Sequence, residues 1–167
     1  MEDLTAPAAA TAVAIPFPSC EWFERLASLM REQRERFRKI GFIDCSMHVT
    51  IIDGGPGGEP WHCQLTFEEL DVTAVRAAAE PDARTADFVV ETDVATWREM
   101  VESIADGGGR PDLDHTLNRL SLAGTPIRIW GEDPLGRDMF FRFNQTLQQF
   151  VNNCAAFRTH FPVRAAA

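Results

Sequence analysis

Two histidines, His48 and His62, are the side chains with the clearest capacity for chemistry. Each occupies a polar position in one of two neighbouring predicted strands, so their rings can approach each other diagonally, near Asp44. Imidazoles serve as metal ligands and as acid–base groups. The pair indicates a metal site or an acid–base pair, and an enzyme acting on an apolar substrate could use His48, His62 or Asp87. The same alternation directs both histidines away from the apolar face, which favours exposed histidines on the outside of a hairpin.

The other reactive side chains form no catalytic motif. The sequence lacks a G-x-S-x-G elbow, an H-E-x-x-H helix, a Walker loop and a dinucleotide fingerprint. Its four cysteines, Cys20, Cys45, Cys63 and Cys154, include no C-x-x-C pair, which favours buried reduced thiols. A Cys45–Cys63 bridge across a hairpin is the one disulfide that the spacing allows. We therefore expect no catalytic residue, no metal and no cofactor.

Apolar side chains form the second candidate site. The chain contains 12 Phe, 4 Trp and 5 Met, many of them on predicted inner faces. Ligand cavities are usually lined by apolar and aromatic groups, and flexible Met adapts to varied ligands. These faces either close into a core or leave a lipophilic hollow. From the residues alone a closed core is favoured, because an aromatic stripe at helical spacing usually only packs.

The central elements that would position these faces read as strand, helix, helix, strand. The alternation in Ala86–Glu91 predicts a strand, and apolar residues at three- and four-residue spacing predict a helix over Thr96–Ala105, with Asp93 as its N-cap. A second helix is predicted over Leu113–Leu122, after a Gly-rich break, and Thr125–Gly131 returns to strand.

The flanking segments add a hairpin and two long helices. A helix is predicted from Ser19, as N-cap, to Gly41. The strands Phe42–Asp53 and Pro60–Glu69 alternate clearly, and a short third strand is expected over Leu70–Ala77. A long helix with a bulky phenylalanine stripe is predicted to begin at Asp138 and to run to Phe157.

This arrangement resembles the sterol carrier protein 2 (SCP2-like) family. The resemblance rests on Ala86-Asp87-Phe88-Val89-Val90, on Trp97 with its apolar helix face, and on Gly124-Thr125-Pro126-Ile127-Arg128-Ile129-Trp130-Gly131-Glu132-Asp133, and it covers roughly residues 17–157. It implies an α+β fold in which a five-stranded, mostly antiparallel twisted sheet is covered by four to five helices around an apolar cavity. The Gly-rich segment 106–111 is longer than the usual link in that family.

The resemblance also implies a function, namely non-catalytic binding or transfer of a fatty acyl chain, a sterol or a similar lipid in a hydrophobic tunnel. Such binding needs no polar clamp, since each buried methylene contributes about 0.8 kcal/mol. The last helix, hinged at Gly131–Gly136, is expected to move as a lid. The expected ligand-binding residues are Phe88, Trp97, Met100, Val101, Ile104, Leu120, Ile129, Phe143, Leu147 and Phe150.

An accessory role is the alternative. The first predicted helix carries a late run of basic residues, Arg31, Arg34, Arg36, Arg38 and Lys39, interrupted by Glu32 and Glu35. A solvated helix face with local ion pairs explains this run. It could instead dock an acidic partner enzyme, or a phosphate-bearing headgroup, while the protein presents a lipophilic intermediate.

Composition limits the remaining possibilities. The chain has 167 residues and a net charge of −9, which argues against a nucleic-acid partner. No apolar stretch approaches the length of a transmembrane helix. We expect one domain at 17–160 between an alanine-rich tail at 1–16 and a C-terminal tail at 161–167. The N-terminus lacks a basic n-region, and a cytoplasmic, bacterial protein is the expectation.

Overall fold

The computed structural model describes residues 13–82 and 84–163 and contains a five-stranded sheet covered by helices. The sheet order is β4-β3-β2-β5-β6. Its strands are β2 (Cys45–Ile51), β3 (Trp61–Glu68), β4 (Asp71–Ala78), β5 (Phe88–Thr92) and β6 (Arg128–Trp130), whereas β1 (Ile15–Pro16) and β7 (Thr159–His160) form a separate parallel pair. Only β2 and β5 pair in parallel within the large sheet. The predicted mostly antiparallel five-stranded sheet is confirmed.

The described part of the chain contains six α-helices. They are α1 (Cys20–Glu32), α2 (Arg34–Ile40), α3 (Val94–Asp106), α4 (Leu117–Ser121), α5 (Pro134–Arg142) and α6 (Asn144–Asn152). Short 3-10 turns occupy Pro56–Gly58, Leu113–His115 and Asn153–Ala156. None of the described helices is long and apolar enough to cross a membrane.

Capping side chains mark the starts of α1 and α3. The Ser19 hydroxyl accepts the Trp22 N–H at 3.1 Å, and the Asp93 carboxylate accepts the Thr96 N–H at 2.8 Å. Each bond satisfies one of the amide groups that the first turn of a helix leaves without a partner. Both predicted N-caps are confirmed.

Three predicted helices are interrupted. The first divides at Gln33, the Leu113–Leu122 segment divides at Thr116, and the last divides at Phe143. The last helical region also begins earlier than predicted, because Asp133 accepts the Leu135 N–H at 2.9 Å and Pro134 starts α5. Apolar periodicity continues across such breaks, so it does not reveal them.

The core lies between the helices and one face of the sheet. Its aromatic centre is formed by four rings, and the Phe17, Trp22 and Phe23 rings lie within 6.1 Å of the Trp97 ring. All four side chains are essentially fully buried. Large aromatic surfaces dominate the energy of burial, so this cluster ties α1 to α3.

The ends of the described chain take part in this packing. Ile15–Pro16 pair with Thr159–His160, and the Phe161 ring lies 5.4 Å from the Phe17 ring. Ile15 and Phe161, near the predicted domain boundaries at 17 and 160, therefore pack against the core. Residues 1–12 and 164–167 of the predicted tails lie outside the described residues.

The Cys45–Cys63 bridge does not form, because the strand register places Cys45 opposite Phe67 and Cys63 opposite Val49. All four cysteines are free thiols, as the sequence predicts, and Cys63 Sγ lies 3.9 Å from Cys20 Sγ.

Candidate functional site

A small apolar cavity lies between the sheet and the helices. Its volume is ≈ 20 Å³, and its lining has no polar surface. One water molecule needs roughly 10–15 Å³ of such volume, so the cavity is far smaller than a lipid chain. Nine side chains form the wall: Met47, Val49, Val90, Trp97, Leu117, Phe140, Leu147, Phe150 and Val151.

Strand register and helix periodicity bring these residues together. Met47 and Val49 are two residues apart on β2 and therefore share a face, and Val90 is paired with Val49 across the parallel ladder. On α6, Leu147, Phe150 and Val151 follow the i, i+3, i+4 spacing of one helix face. The cavity therefore lies where α5 and α6 cross the centre of the sheet.

The structure distributes the ten predicted ligand-binding residues over three environments. Trp97, Leu147 and Phe150 line the cavity. Phe88, Met100, Val101 and Ile104 are buried in the surrounding core, and Leu120, Ile129 and Phe143 are only partly buried against it. The prediction of an inner apolar face thus finds three wall residues. It missed the other six wall residues, which are Met47, Val49, Val90, Leu117, Phe140 and Val151. Phe140 and Val151 belong to the apolar stripe of the last helical region and could have been ranked with it.

Trp97 brings one unsatisfied polar atom to this apolar region. Its Nε1–H is buried and has no hydrogen-bond partner among the described residues. A buried indole N–H normally finds an acceptor, because leaving it unpaired costs about 1–3 kcal/mol. The side chain that lines the cavity therefore retains one hydrogen-bond donor.

A wider groove lies on the outer side of α5 and α6. It has a volume of ≈ 510 Å³ and is lined by Ile40, Phe42, Phe141, Arg142, Phe143, Asn144, Gln145 and Thr146. Phe42 is 62% exposed there, and the Arg142 guanidinium carbon lies 5.5 Å from the centroid of the Phe143 ring. Residues on both sides of the break between α5 and α6 line this groove, which shares no lining residue with the apolar cavity.

The glycines predicted to hinge the last helix are close-packing positions, and the hinge itself stays a prediction. A Cβ atom on Gly136 would overlap the Asp87 carbonyl oxygen, and one on Gly131 would lie 2.8 Å from the same oxygen. Gly136 lies inside α5 and is buried. These glycines therefore let α5 approach β5 closely, and the interruption of the last helical region lies at Phe143.

The two histidines lie on the opposite face of the sheet. Their ring centroids are 5.7 Å apart, and Thr50 Oγ1 lies 2.9 Å from His62 Nδ1. The prediction that His48 is exposed is wrong, since its side chain is 1% exposed and neither ring nitrogen has a partner among the described residues. The loop between β4 and β5 reaches this face, because Gln64 Nε2 donates to the Thr85 carbonyl at 3.0 Å.

The electrostatics of these groups do not favour acid–base chemistry. Burial, and then the neighbouring His62, lower the pKa of His48 to about 4, although Asp82 acts in the opposite direction. Burial likewise lowers the pKa of His62. The Asp87 carboxylate accepts a hydrogen bond from the Ser46 N–H at 2.7 Å and thereby helps to hold the start of β5 beside β2. None of the three groups lines the apolar cavity.

The thiols of Cys45 and Cys154 are also poorly suited to nucleophilic chemistry. Burial raises the pKa of Cys45 and of Cys154 to about 12, with Asp87 and Asp44 adding to the effect at Cys45. A thiol with so high a pKa has little reactive thiolate at neutral pH. Among residues 13–82 and 84–163, no three His, Cys, Asp or Glu side chains are grouped to hold a metal ion.

The basic residues predicted on the first helix differ in their contacts. Arg31 Nε lies 2.7 Å from Asp71 Oδ1, and its guanidinium also donates to the Val72 carbonyl at 3.0 Å, so this arginine joins α1 to β4. Arg38 pairs with Glu35 at 3.3 Å. Arg34, Arg36 and Lys39 remain exposed on α2.

Comparison with known proteins supports the fold. No family model matches the sequence, and no curated protein matches it. Among solved structures, the crystal structure of sterol carrier protein 2 is similar with a TM-score of 0.60 and 15% identity, over 82% of this chain and 95% of that chain. A conserved hypothetical protein from Thermus thermophilus, described as possibly a sterol carrier protein, is similar in solution structure with a TM-score of 0.59 and 14% identity, over 91% of this chain and 97% of that chain. At these identities the likeness establishes the SCP2-like fold alone.

Proposed function

We propose that this chain, which has the SCP2-like fold, is a non-catalytic carrier that binds an apolar ligand between its sheet and its last two helices. The observation that carries the proposal is the wholly apolar cavity at the centre of the fold, lined by both α5 and α6. A fatty acyl chain or a sterol is the proposed ligand class. The fold likeness to sterol carrier protein 2 supports the same class.

Binding of a lipid requires the cavity to enlarge. Phe140 and Leu147 form part of its inner wall, while Phe141 and Phe143 line the outer groove. Movement at the break between α5 and α6 would join the two spaces without unfolding the sheet. We therefore place the moving element at Phe143 rather than at the glycines.

The unpaired Trp97 donor narrows the ligand class. Once the cavity has enlarged, an apolar ligand with one acceptor oxygen, such as a carboxyl, carbonyl or hydroxyl group, would pair with Nε1, which the present apolar lining does not expose, while its remaining surface contacts the apolar wall. Trp97→Phe keeps an aromatic ring and removes the donor. We expect it to weaken fatty-acid binding by about 2- to 10-fold, the usual net value of one hydrogen bond.

The matched control is Trp61→Phe, because Trp61 is half-buried, stacks on Phe23 and does not line the cavity. Displacement of a fluorescent fatty-acid probe measures both variants. Equal affinities for Trp97→Phe and the unmodified protein would refute the role of the indole N–H.

Native mass spectrometry of the purified protein, followed by organic extraction, tests the carrier function itself. A bound acyl chain or sterol is the expected result. Leu147→Trp should fill the cavity and abolish both the bound ligand and probe binding, whereas Leu122→Trp, at a leucine that is 61% exposed, should leave them unchanged. The proposal would be refuted if the purified protein carried no ligand and also failed to bind the fluorescent fatty-acid probe.

An accessory role is a second proposal, supported by the exposed cations that α2 retains at Arg34, Arg36 and Lys39. In that role the protein would present its ligand to a partner enzyme with acidic side chains.

We also propose a cytoplasmic location for the carrier, which is supported by the free thiols. The docking role has its own test. An Arg34→Glu, Lys39→Glu variant that kept its affinity for such an enzyme would reject the docking surface.

A further inference from the structure

A polar groove of ≈ 210 Å³ lies on the far side of α6 from the apolar cavity. Three segments meet there: the break between α1 and α2, the Gly-rich segment after α3, and the turn after α6. They contribute Gln33 and Arg36, Gly107 to Arg110, and Asn153 to the wall. The groove therefore uses the long Gly-rich segment, which the lipid-binding proposal leaves without a role.

The Gly-rich segment has a defined shape. A Cβ atom on Gly107 would overlap the Arg110 carbonyl oxygen, and Gly108 and Gly109 have φ values of +64° and +107°. Only glycine adopts such backbone conformations at little cost. The three glycines thus fold the segment back, so that Arg110 reaches the groove wall.

Two buried polar atoms in this wall lack partners. Asn153 is 4% exposed, and its Oδ1 accepts from Gln149 Nε2 at 3.3 Å, which leaves Nδ2 as the free end of the amide. Nδ2 is buried without a hydrogen-bond partner among the described residues, as is Oε1 of Gln33. Leaving such atoms buried and unpaired is unfavourable, so a ligand that pairs with them is favoured.

The charged side chains of the groove are also unpaired. Neither Arg36 nor Arg110 makes an ion pair within the described part of the chain, whereas Arg31 and Arg38 do. Guanidinium groups bind carboxylate and phosphate oxygens through paired N–H donors. The groove has two guanidinium groups and a free amide donor, so it is locally positive in a protein whose net charge is −9.

The backbone amides of the three glycines do not supply this site. The N–H groups of Gly107, Gly108 and Gly109 donate to the carbonyls of Ser103, Ala105 and Ile104. The C-terminal ends of α3 and α6, which carry partial negative charge, also lie here. Attraction for an anion must therefore come from the arginine side chains.

We propose that this groove binds a small oxoanion, a phosphate or carboxylate group, held by Arg36, Arg110 and Asn153 Nδ2. A hydrogen-bond donor on the same ligand would pair with Gln33 Oε1. The site is independent of the lipid cavity, because the two spaces lie on different sides of α6 and share no lining residue.

The test is a titration of the full chain with inorganic phosphate and, separately, with acetate, followed by amide NMR at constant ionic strength set with chloride. We expect saturable shifts confined to residues 107–110, 152–156 and 33–36. Arg36→Gln and Arg110→Gln should each weaken binding by roughly 10-fold or more, since hydrogen bonds to charged groups are the stronger ones. Arg34→Gln, on the same helix but outside the groove wall, is the matched control and should bind normally.

The two titrations distinguish the ligand classes. Saturation by phosphate alone assigns a phosphoryl group, saturation by acetate alone assigns a carboxylate, and saturation by both supports a general oxoanion site. Failure of both anions to saturate overturns the proposal, as does equal binding by the Arg36→Gln, Arg110→Gln and Arg34→Gln variants. A fatty-acid probe bound normally by these variants would show that the carrier proposal stands or falls separately.

Discussion

His48 is a buried polar side chain whose contacts do not compensate for its burial. Both ring nitrogens lack partners among the described residues, and the side chain is 1% exposed. An unsatisfied buried group costs about 1–3 kcal/mol. We therefore expect His48→Leu to stabilise the protein at pH 7 by a value in that range, measured by urea unfolding.

The same residue should make stability depend on pH. Because the pKa of His48 is lowered to about 4 in the folded state, from 6.5, the unfolded chain binds a proton more readily between these values. Protonation of the unfolded chain therefore lowers the stability of the fold progressively as the pH falls from about 6.5 towards 4, and this penalty is absent above about pH 6.5. At about 1.36 kcal/mol per pKa unit the loss is on the order of 3 kcal/mol.

His48→Leu should flatten this part of the stability profile, while His160→Gln, at an exposed position, should leave it unchanged. A variant with the same slope as the unmodified protein between pH 6.5 and 4 would show that His48 is not the group responsible.

The misplacement of His48 shows what alternation can and cannot predict. Period two correctly placed its side chain on the face opposite Met47 and Val49. Whether that face is open to solvent depends on the loop between β4 and β5, whose position no local pattern specifies. Residue faces were predictable here, and their covering was not.

At the scale of elements, the contact between α5 and β5 depends on Gly136. Inside a helix, alanine is usually more stable than glycine by about 1 kcal/mol. Here the new Cβ would overlap the Asp87 carbonyl oxygen, a backbone atom that cannot rotate away. Overpacking of this kind costs about 1–3 kcal/mol and occasionally more, so the clash should outweigh the propensity.

We therefore expect Gly136→Ala to lower the free energy of unfolding, whereas Arg137→Ala, at the exposed neighbouring position, should not. Thermal and urea unfolding measure both. A stabilised Gly136→Ala protein would mean that α5 is free to shift away from β5, and it would support the predicted hinge at this glycine.

Element existence was predictable because apolar periodicity and capping side chains act locally. The hairpin strands, the α3 cap at Asp93 and the third strand all follow from such signals. The breaks at Gln33 and Phe143 were not predictable, because neither position carries the Gly or Pro that normally interrupts a helix. The start of α5 was missed although Asp133 and Pro134 form a standard N-terminal signal.

At the scale of the whole molecule, the pattern of elements was sufficient for the fold, and the structural likeness to sterol carrier protein 2 confirms it. The size of the cavity was not predictable. The same apolar residues line a closed core and a lipid tunnel, and only the exact packing of α5 and α6 on the sheet separates the two. Here that packing leaves ≈ 20 Å³.

Binding of a lipid must therefore include the free energy of opening. A dozen buried methylenes contribute about 10 kcal/mol, which offsets an opening that costs several kcal/mol but reduces the apparent affinity by the open fraction. If α5 and α6 are the moving part, their amides should exchange with solvent faster than those of β2, β3 and β5 in the free protein. Saturation with oleate should slow exchange over 134–152 and leave the central strands unchanged. Leu147→Trp, which fills the cavity, should show no slowing with oleate. Protection of α5 and α6 equal to that of the central strands, with and without oleate, would contradict opening at Phe143 and would leave the apolar wall as closed core.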